Sequence, residues 1–371
     1  LYGQMTYKRM FGTFVNNAWL PDVFGNSWIL PQILKKSGVD YFVSNKMSTW
    51  NDTNRFPHNN FIWRGIDGSE VLACVPPTHF ITWNAPSQIQ ENWEAYIDKD
   101  LGGQTMNMFG YGDGGSGCTE EMIELMHRFD KLSIMPKCEH LGGAEFLEKN
   151  LKGNKNLEVW DGELYLEMHR GTFTTKSNLK RINRCLEYKF RTAEMLCVMK
   201  NEDKQEKIDE LYKKFLVNQF HDIIPGSHIH PVYEDAIKDY EYIEAELDKI
   251  IGTGSKYFNT LNFERKSLTF VPNKNGSSYR LGVRGNWLIP GIPPLKAKSL
   301  RATKSAEDWF IFESGKIETP FYSAMLNSDG SFDSLFDKKL KREWTKGEFN
   351  KLKIYSDTPG NYDAWDILPN Y

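Results

Sequence analysis

The sequence has few cysteines, no long apolar run and almost no net charge. Its five cysteines are scattered and form no CxxC pair, so neither a disulfide framework nor a thiolate zinc site is predicted. No stretch approaches the ~20 apolar residues that a membrane-spanning helix needs. The 46 basic and 49 acidic residues give no electrostatic reason to expect nucleic acid or a membrane as a partner. These absences predict a globular protein of a reducing compartment, the cytoplasm.

Three sequence patterns follow one another along the chain and predict three domains. Residues 1–166 alternate helical stretches with short apolar strands, among them "TMNMFG", which is typical of an α/β layer or barrel. Residues 167–255 carry apolar positions at helical spacing in three stretches, which predicts a three-helix bundle. Residues 256–371 contain short alternating strands between Gly- and Asn-containing turns, which indicates the start of a β-sandwich.

Asp22 is the first candidate for chemistry. It lies in "WLPDVFGNS", where a strand-like stretch ends in a turn, and a carboxylate at such a position can act as a nucleophile or a metal ligand. The alternative is structural, since an aspartate here could cap the helix expected in "NSWILPQIL" or stabilise the turn.

Asp113 is the second candidate, in the glycine-rich loop of "MFGYGDGGSG". A phosphate-binding loop is disfavoured, because no Lys and Ser/Thr pair follows the last glycine and "GYGDGG" matches the GxGxxG pattern only weakly. Two carboxylates at separate strand ends are what a glycosidase requires, one to attack the anomeric carbon and one to transfer the proton. If Asp22 and Asp113 form a retaining pair, they should lie ~5 to 5.5 Å apart.

His221 and Asp222 are the third candidate. They lie in "NQFHDIIPGS", at the expected end of an amphipathic helix that begins near Lys207 and stops before Pro225. A neutral imidazole is a common metal ligand, but a histidine at a helix end also interacts favourably with the helix dipole. The "SHIH" stretch that follows offers two further histidines without a third partner nearby.

Five separated motifs resemble those of glycoside hydrolase family 38, the α-mannosidases, most closely the cytosolic and bacterial branch. They are "WLPDVFGNSWILPQILKKSGVDYFVSNKMSTWN", "FGYGDGGSG", "ELYLEMHRGTFTT", "NQFHDIIPGS" and "NYDAWDILPNY". The resemblance implies a β/α barrel of the seven-stranded type, a three-helix bundle and large β domains. It also implies a retaining, zinc-dependent hydrolase of terminal α-mannosides, with an α-mannoside oligosaccharide as its partner.

The resemblance assigns roles to individual residues. Asp22 corresponds to the nucleophile, which is also a zinc ligand, and His221 to a second ligand of the Zn²⁺. Phe24, Lys46 and Asp222 correspond to residues around the bound sugar. Asp113 is the candidate acid/base.

One part of the family pattern is not found in this sequence. The two remaining zinc ligands of the family come from an HxDxxW motif, and no such motif precedes Asp22. The sequence is therefore expected to be an internal fragment with half of the metal site, inactive or very weak by itself. Two alternatives remain open, a hydrolase of 6-phosphomannosyl compounds and a non-catalytic carbohydrate-binding protein. The sequence also leaves a homo-oligomer open.

Overall fold

The computed structural model describes all residues except 130, 253, 255, 267–268, 273, 276–277, 281–282, 289–290, 300–310, 348, 359 and 369–371. The chain divides into two compact units. The first comprises Leu1–Ser177, Leu216–Tyr233 and Pro359–Pro369, and the second comprises Asn178–Phe215, Glu234–Thr358 and Asn370–Tyr371.

The first unit alternates helices and strands, as the sequence predicts for this region. Its elements are α1 (Tyr2–Phe11), β1 (Asn17–Leu20), α2 (Leu30–Lys36), β2 (Tyr41–Ser44), α3 (Lys46–Thr49), β3 (Asn60–Arg64), β4 (Glu70–Cys74), α4 (Pro86–Ala95), α5 (Glu120–Phe129), α6 (Gly143–Asn150) and β5 (Val159–Asp161).

The five strands form one sheet in the order β1-β2-β4-β3-β5. All neighbouring pairs are parallel except β3 and β4, which form a hairpin. Strand β2, which lies between β1 and β4, is buried along its whole length, because side chains pack on both of its faces, and this explains its apolar sequence. Tyr41 and Val43 lie in one buried cluster and Phe42 lies in another.

The strand expected in "TMNMFG" does not form. Met106 and Met108 are buried in alternation with more exposed neighbours, which is the pattern that suggested a strand. However, the side chains of Asn92 and Thr82 donate hydrogen bonds to the carbonyl oxygens of Met106 and Met108, at 3.1 and 2.6 Å. These hydrogen bonds satisfy carbonyl groups that a neighbouring strand would otherwise pair, and the stretch does not belong to the sheet.

Three helices follow where the sequence predicts helices, namely α7 (Ser177–Lys200), α8 (Gln205–Val217) and α9 (His230–Ile251). In the second unit Phe190 of α7 stacks on Tyr212 of α8 with ring centroids 4.0 Å apart, and Phe215 of α8 contacts Tyr240 of α9 at 6.1 Å. The hydroxyl of Tyr240 donates to Asn183 of α7 at 3.1 Å, which pairs a buried polar group inside the apolar interface.

The predicted end of α8 is wrong. The helix ends at Val217, well before Pro225. Beyond it, the backbone N–H groups of Gln219 and Phe220 donate to the carbonyl oxygens three residues earlier, not four as in an α-helix. Residues 218–226 therefore form a series of turns.

The described strands of the second unit are short and antiparallel. They are β6 (Lys256–Phe258), β7 (Thr269–Pro272), β8 (Ser278–Arg280), β9 (Val283–Leu288), β10 (Ala297–Ser299), β11 (Ile311–Glu313), β12 (Lys316–Glu318), β13 (Tyr322–Leu326), β14 (Phe332–Asp337) and β15 (Arg342–Glu343). Strands β11 to β15 form one meander in chain order.

The seven-stranded barrel and the β-sandwich stay predictions, because the described strands form open sheets of two, three and five strands. No helix in the described part of the chain is both long and apolar enough to cross a bilayer.

Candidate active site

Asp22 and Lys46 meet because two parallel strands end side by side. Leu20, the last residue of β1, pairs in register with Ser44, the last residue of β2. The chain leaves β1 through a turn that contains Asp22, and it leaves β2 into α3, whose first residue is Lys46. Lys46 Nζ lies 2.6 Å from Asp22 Oδ1. Asp22 does not cap α2, since that helix begins at Leu30.

His221 reaches the same carboxylate from the turns after α8. Its Nε2 lies 3.3 Å from Asp22 Oδ2 and 3.7 Å from Asp222 Oδ2. Each oxygen of Asp22 therefore has its own nitrogen partner, Lys46 on one side and His221 on the other. His221 lies four residues beyond the helix end, so a helix-dipole role does not explain its position.

These contacts change the pKa values of Asp22 and His221. Burial disfavours the charged form of Asp22, but hydrogen bonds from His221 and Lys46 outweigh it and hold the pKa of Asp22 below its usual value. The hydrogen bond with Asp22 raises the pKa of His221, although burial opposes this change. Asp22 is thus kept as a carboxylate, the form that a nucleophile or a metal ligand needs.

Aromatic rings enclose the Asp22–Lys46 pair. Lys46 Nζ lies 4.6 Å from the ring centroid of Trp50 and 5.5 Å from that of Phe24. Phe24 meets two histidines edge to face, His169 at 4.9 Å and His221 at 6.3 Å. Cation–π contacts strengthen when they are shielded from water, and the Lys46 side chain is only 8% exposed. The rings and Asp22 together hold this lysine in place.

A cavity of about 730 Å³ opens beside this cluster, large enough for an oligosaccharide end. Asp22, His221, Asp222 and Asp113 all line it. Aromatic side chains contribute much of its apolar wall, and these are Trp19, Phe80, Phe109, Phe146 and Phe220. Rings beside carboxylates are the surface that a sugar's apolar face and hydroxyls require.

Asp113 enters the cavity from a short 3₁₀ turn, Gly112–Gly114. Gly112 has a φ of +51°, and a side chain there would collide with Ile81, whose Cγ1 would lie 2.2 Å from the added Cβ. Glycine is therefore required at this position to let the turn approach Ile81. Asp113 itself is exposed to solvent.

His79 is influenced by both candidate carboxylates. Burial lowers its pKa, and Lys46 lowers it further, whereas the charges of Asp113 and Asp22 act in the opposite direction. The Ile81 N–H donates to Nδ1 of His79 at 3.1 Å, so the proton of the neutral ring is on Nε2. His79 therefore lies within electrostatic reach of both Asp22 and Asp113.

Asp22 and His221 have the donor types and the spacing of two zinc ligands, but a tetrahedral zinc site needs more than two ligands. Two ligands of a tetrahedral zinc lie about 3.3 Å apart when each bond is about 2.0 Å, and carboxylate and imidazole are both zinc donors. Asp22 Oδ2 and His221 Nε2 have this separation. Among the described residues no group of three or more His, Cys, Asp or Glu side chains is arranged to hold a metal. His228 and His230 each stack on Tyr233 instead.

The structure thus brings together the candidates Asp22, Phe24, Lys46, His221 and Asp222, and it places Asp113 on the same cavity. Sequence reasoning missed Trp50, His79 and His169. For Trp50 a signal was present, since it lies four residues after Lys46 and such pairs share a helix face. His169 lies in the family motif "ELYLEMHRGTFTT", but the resemblance assigned it no role, and no local pattern points to His79.

Gly226 ends the turns that carry His221, and its replacement tests how tightly they are built. It has a φ of +85°, and an added Cβ would lie 2.6 Å from the carbonyl oxygen of Thr175. Gly226→Ala is expected to lower the free energy of unfolding by about 2 kcal/mol, measured by urea denaturation. Gly12→Ala is the control, because Gly12 also has a positive φ but no atom within 4 Å. Equal losses in the two variants would show that the close approach at Gly226 is unimportant.

Comparisons with known proteins cover most of the chain. Residues 1–163 match the N-terminal domain of glycosyl hydrolases family 38, residues 167–258 the α-mannosidase middle domain, and residues 317–371 the family 38 C-terminal domain.

Relatives of known name agree with these matches. The chain is 31% identical to α-mannosidase G of Dictyostelium discoideum over 99% of its own length and 40% of that protein. It is 29% identical to an α-mannosidase of Saccharomyces cerevisiae, over 98% of this chain and 35% of the yeast protein. The chain therefore spans well under half the length of these relatives.

A solved structure shows the same fold. An α-mannosidase from Enterococcus faecalis superposes with a TM-score of 0.66 at 13% identity, over 91% of this chain and 49% of that one. Three consecutive domain matches in family order, with relatives that share nearly the whole length of the chain, show that it belongs to glycosyl hydrolase family 38.

Proposed function

We propose that the protein containing this chain is a retaining α-mannosidase that removes terminal α-mannose from oligosaccharides. One observation carries the proposal: a carboxylate kept ionised by two nitrogen partners, Asp22, lines the same cavity as a second, solvent-exposed carboxylate, Asp113. Family membership and the names of the relatives support the choice of mannosides.

In the proposed reaction the two carboxylates have different roles. Asp22 attacks the anomeric carbon and forms a glycosyl ester, while Asp113 donates a proton to the leaving oxygen. Asp113 then removes a proton from the incoming water, which releases mannose with its configuration retained. Lys46 keeps Asp22 ionised before attack, and His221 does so when its Nε2 carries a proton instead of binding a metal. Phe24 and Asp222 lie next to these groups and are proposed to contact the sugar.

Asp22 and His221 would contribute two of the ligands of a catalytic zinc ion. Bound zinc would act as a Lewis acid toward the sugar hydroxyls. Zinc content of the purified full-length protein, measured by elemental mass spectrometry, tests this part without an activity assay. One zinc per chain is expected in the unmodified protein and much less in His221→Ala, whereas equal zinc in both would remove His221 from the ligand set.

The reaction itself is tested with an aryl α-mannoside and the full-length protein. Proton NMR of the first product formed should show the α-anomer of mannose. Initial release of the β-anomer would contradict the retaining mechanism, and absence of hydrolysis with metal-loaded protein would contradict the proposal as a whole.

The charge of the cavity favours a neutral sugar over a 6-phosphorylated one. The described residues that line it include four carboxylates, Asp22, Asp113, Glu139 and Asp222, and neither lysine nor arginine. Lys46 is nearby but is already paired with Asp22. We therefore expect kcat/KM for an aryl α-mannoside to exceed that for its 6-phosphate by at least about tenfold, since like charges in a shielded site repel. The opposite preference would favour the phosphomannosyl alternative.

Cytoplasmic localisation stays a prediction. Cys74, Cys118, Cys185 and Cys197 form no disulfide bond in the described part of the chain, which agrees with a reducing compartment. Assembly into a homo-oligomer also stays untested.

A further inference from the structure

Residues 360–368, here called the C-terminal segment, belong to the first unit and pack near the candidate site. The N–H groups of Trp365 and Asp366 both donate to the carbonyl oxygen of Tyr362 at 2.8 Å, so the segment is folded into a compact turn. It lies directly on Gly171, where an added Cβ would be 2.7 Å from the carbonyl oxygen of Trp365. Only glycine allows this approach, so the fit of the segment depends on the residue it covers.

Asp366 is the polar anchor of the C-terminal segment. Its Oδ1 accepts a hydrogen bond from the backbone N–H of His169 and lies 3.3 Å from Nδ1 of the same histidine. His169 is 4% exposed and has a φ of +62°, a conformation that is unfavourable for a residue with a side chain. A buried histidine in this conformation needs its polar groups paired, and Asp366 pairs two of them.

The ring of His169 is surrounded by four aromatic side chains. Phe24 and Trp50 approach from the candidate site, with centroid distances of 4.9 and 5.6 Å. Tyr362 and Trp365 approach from the C-terminal segment, at 5.7 and 6.2 Å. His169 therefore lies between the segment and the two rings that contact Lys46.

These contacts form a continuous path to the nucleophile. Phe24 and Trp50 flank the ammonium group of Lys46, which lies 2.6 Å from Asp22. A shift of His169 would free both rings to move, and Lys46 would lose the packing that holds it against Asp22. Packed side chains transmit such shifts because the protein interior has little free space.

We propose that Asp366 and His169 are positioning residues of the candidate active site. Asp366 fixes the His169 ring, and this ring holds Phe24 and Trp50 so that Lys46 stays on Asp22. The packing follows from the contacts alone, whereas its effect on hydrolysis rests on the function proposed above.

The first test measures Lys46 without an activity assay. Lysine acetylation is followed by mass spectrometry in the unmodified full-length protein and in Asp366→Ala. Lys46 is expected to react about fivefold faster in the variant, because its packing opens more often. Lys35, which is paired with Asp40 in the first unit, should react at an unchanged rate and so report that this unit stays folded.

Two further variants separate anchoring from general disturbance. Asp363→Ala removes an exposed carboxylate from the same segment and should leave the Lys46 rate unchanged. Asp366→Asn keeps an oxygen that can accept both hydrogen bonds and should stay within about twofold of the unmodified protein. An unchanged Lys46 rate in Asp366→Ala, or an equal increase in Asp363→Ala, would overturn the proposal.

The second test concerns hydrolysis. Asp366→Ala is expected to lower kcat/KM for an aryl α-mannoside about tenfold per folded molecule, with Asp366→Asn largely restored. In a Lys46→Met background the same change should have little further effect, because both act through one contact. An additive loss would argue against the path through Lys46. If the unmodified protein hydrolyses no mannoside, the proposed function fails, while the acetylation rates still decide the positioning role.

Discussion

Asp22→Asn is expected to lower kcat for α-mannoside hydrolysis by at least about 10⁴-fold. The amide cannot attack the anomeric carbon, and it removes the negative charge that Lys46 and His221 contact at 2.6 and 3.3 Å. Steady-state hydrolysis of an aryl α-mannoside by the full-length protein measures the loss. A slow substrate analogue should also label Asp22 covalently, and peptide mass spectrometry would identify the modified residue.

Asp40→Asn is the matched control for this prediction. Asp40 lies just before β2, is paired with Lys35 at 2.5 Å and is half exposed, so its loss should change kcat less than about twofold. If Asp22→Asn kept more than about a tenth of the activity, Asp22 could not be the nucleophile.

Asp113→Asn is expected to give the second large effect, and its size should depend on the leaving group. General acid catalysis contributes about 10²- to 10⁴-fold, so a mannobiose substrate with a poor leaving group should lose about this much in kcat/KM. A dinitrophenyl mannoside needs little protonation and should lose far less at this step. Azide, which can replace water as the attacking group, should restore turnover of that substrate and yield mannosyl azide.

Glu139→Gln tests the rival assignment. Glu139 lines the same cavity but pairs with Lys149 at 2.6 Å. A leaving-group-dependent loss in Glu139→Gln, with none in Asp113→Asn, would move the acid/base role to Glu139.

Local sequence patterns predicted the helices well and one extended segment wrongly. The apolar positions of α7 and α9 recur at helical spacing, and most of them are buried. A long amphipathic helix is stabilised by packing its one apolar face against neighbouring residues, so this pattern is easy to recognise. Residues 105–110 have the alternation of a strand, but the side chains of Thr82 and Asn92 donate hydrogen bonds to carbonyl groups of this stretch. The hydrogen-bond partner of a backbone carbonyl depends on the tertiary structure, and an alternating pattern of apolar residues carries no information about it.

The residues of the candidate site could be predicted to different degrees, because some of their contacts join distant parts of the sequence. Asp22 was predicted from its place after a strand-like stretch, whereas Lys46 and His221 were linked to it only through the family resemblance. The structure explains the position of Lys46, because Asp22 and Lys46 follow neighbouring parallel strands whose ends meet at one edge of the sheet. The contact of Asp366 with His169 joins residues 197 positions apart, and no spacing rule reaches that far.

The long separation between Asp22 and His221 has a consequence during synthesis. At roughly 5 to 20 residues per second, His221 leaves the ribosome about 10 to 40 s after Asp22. In this interval the sheet can already pair Asp22 with Lys46, while the histidine is not yet available. The nascent chain therefore has time to pack Lys46 against Phe24 and Trp50 first. The order of synthesis favours a folding route in which His221 contacts an Asp22–Lys46 pair that has already formed.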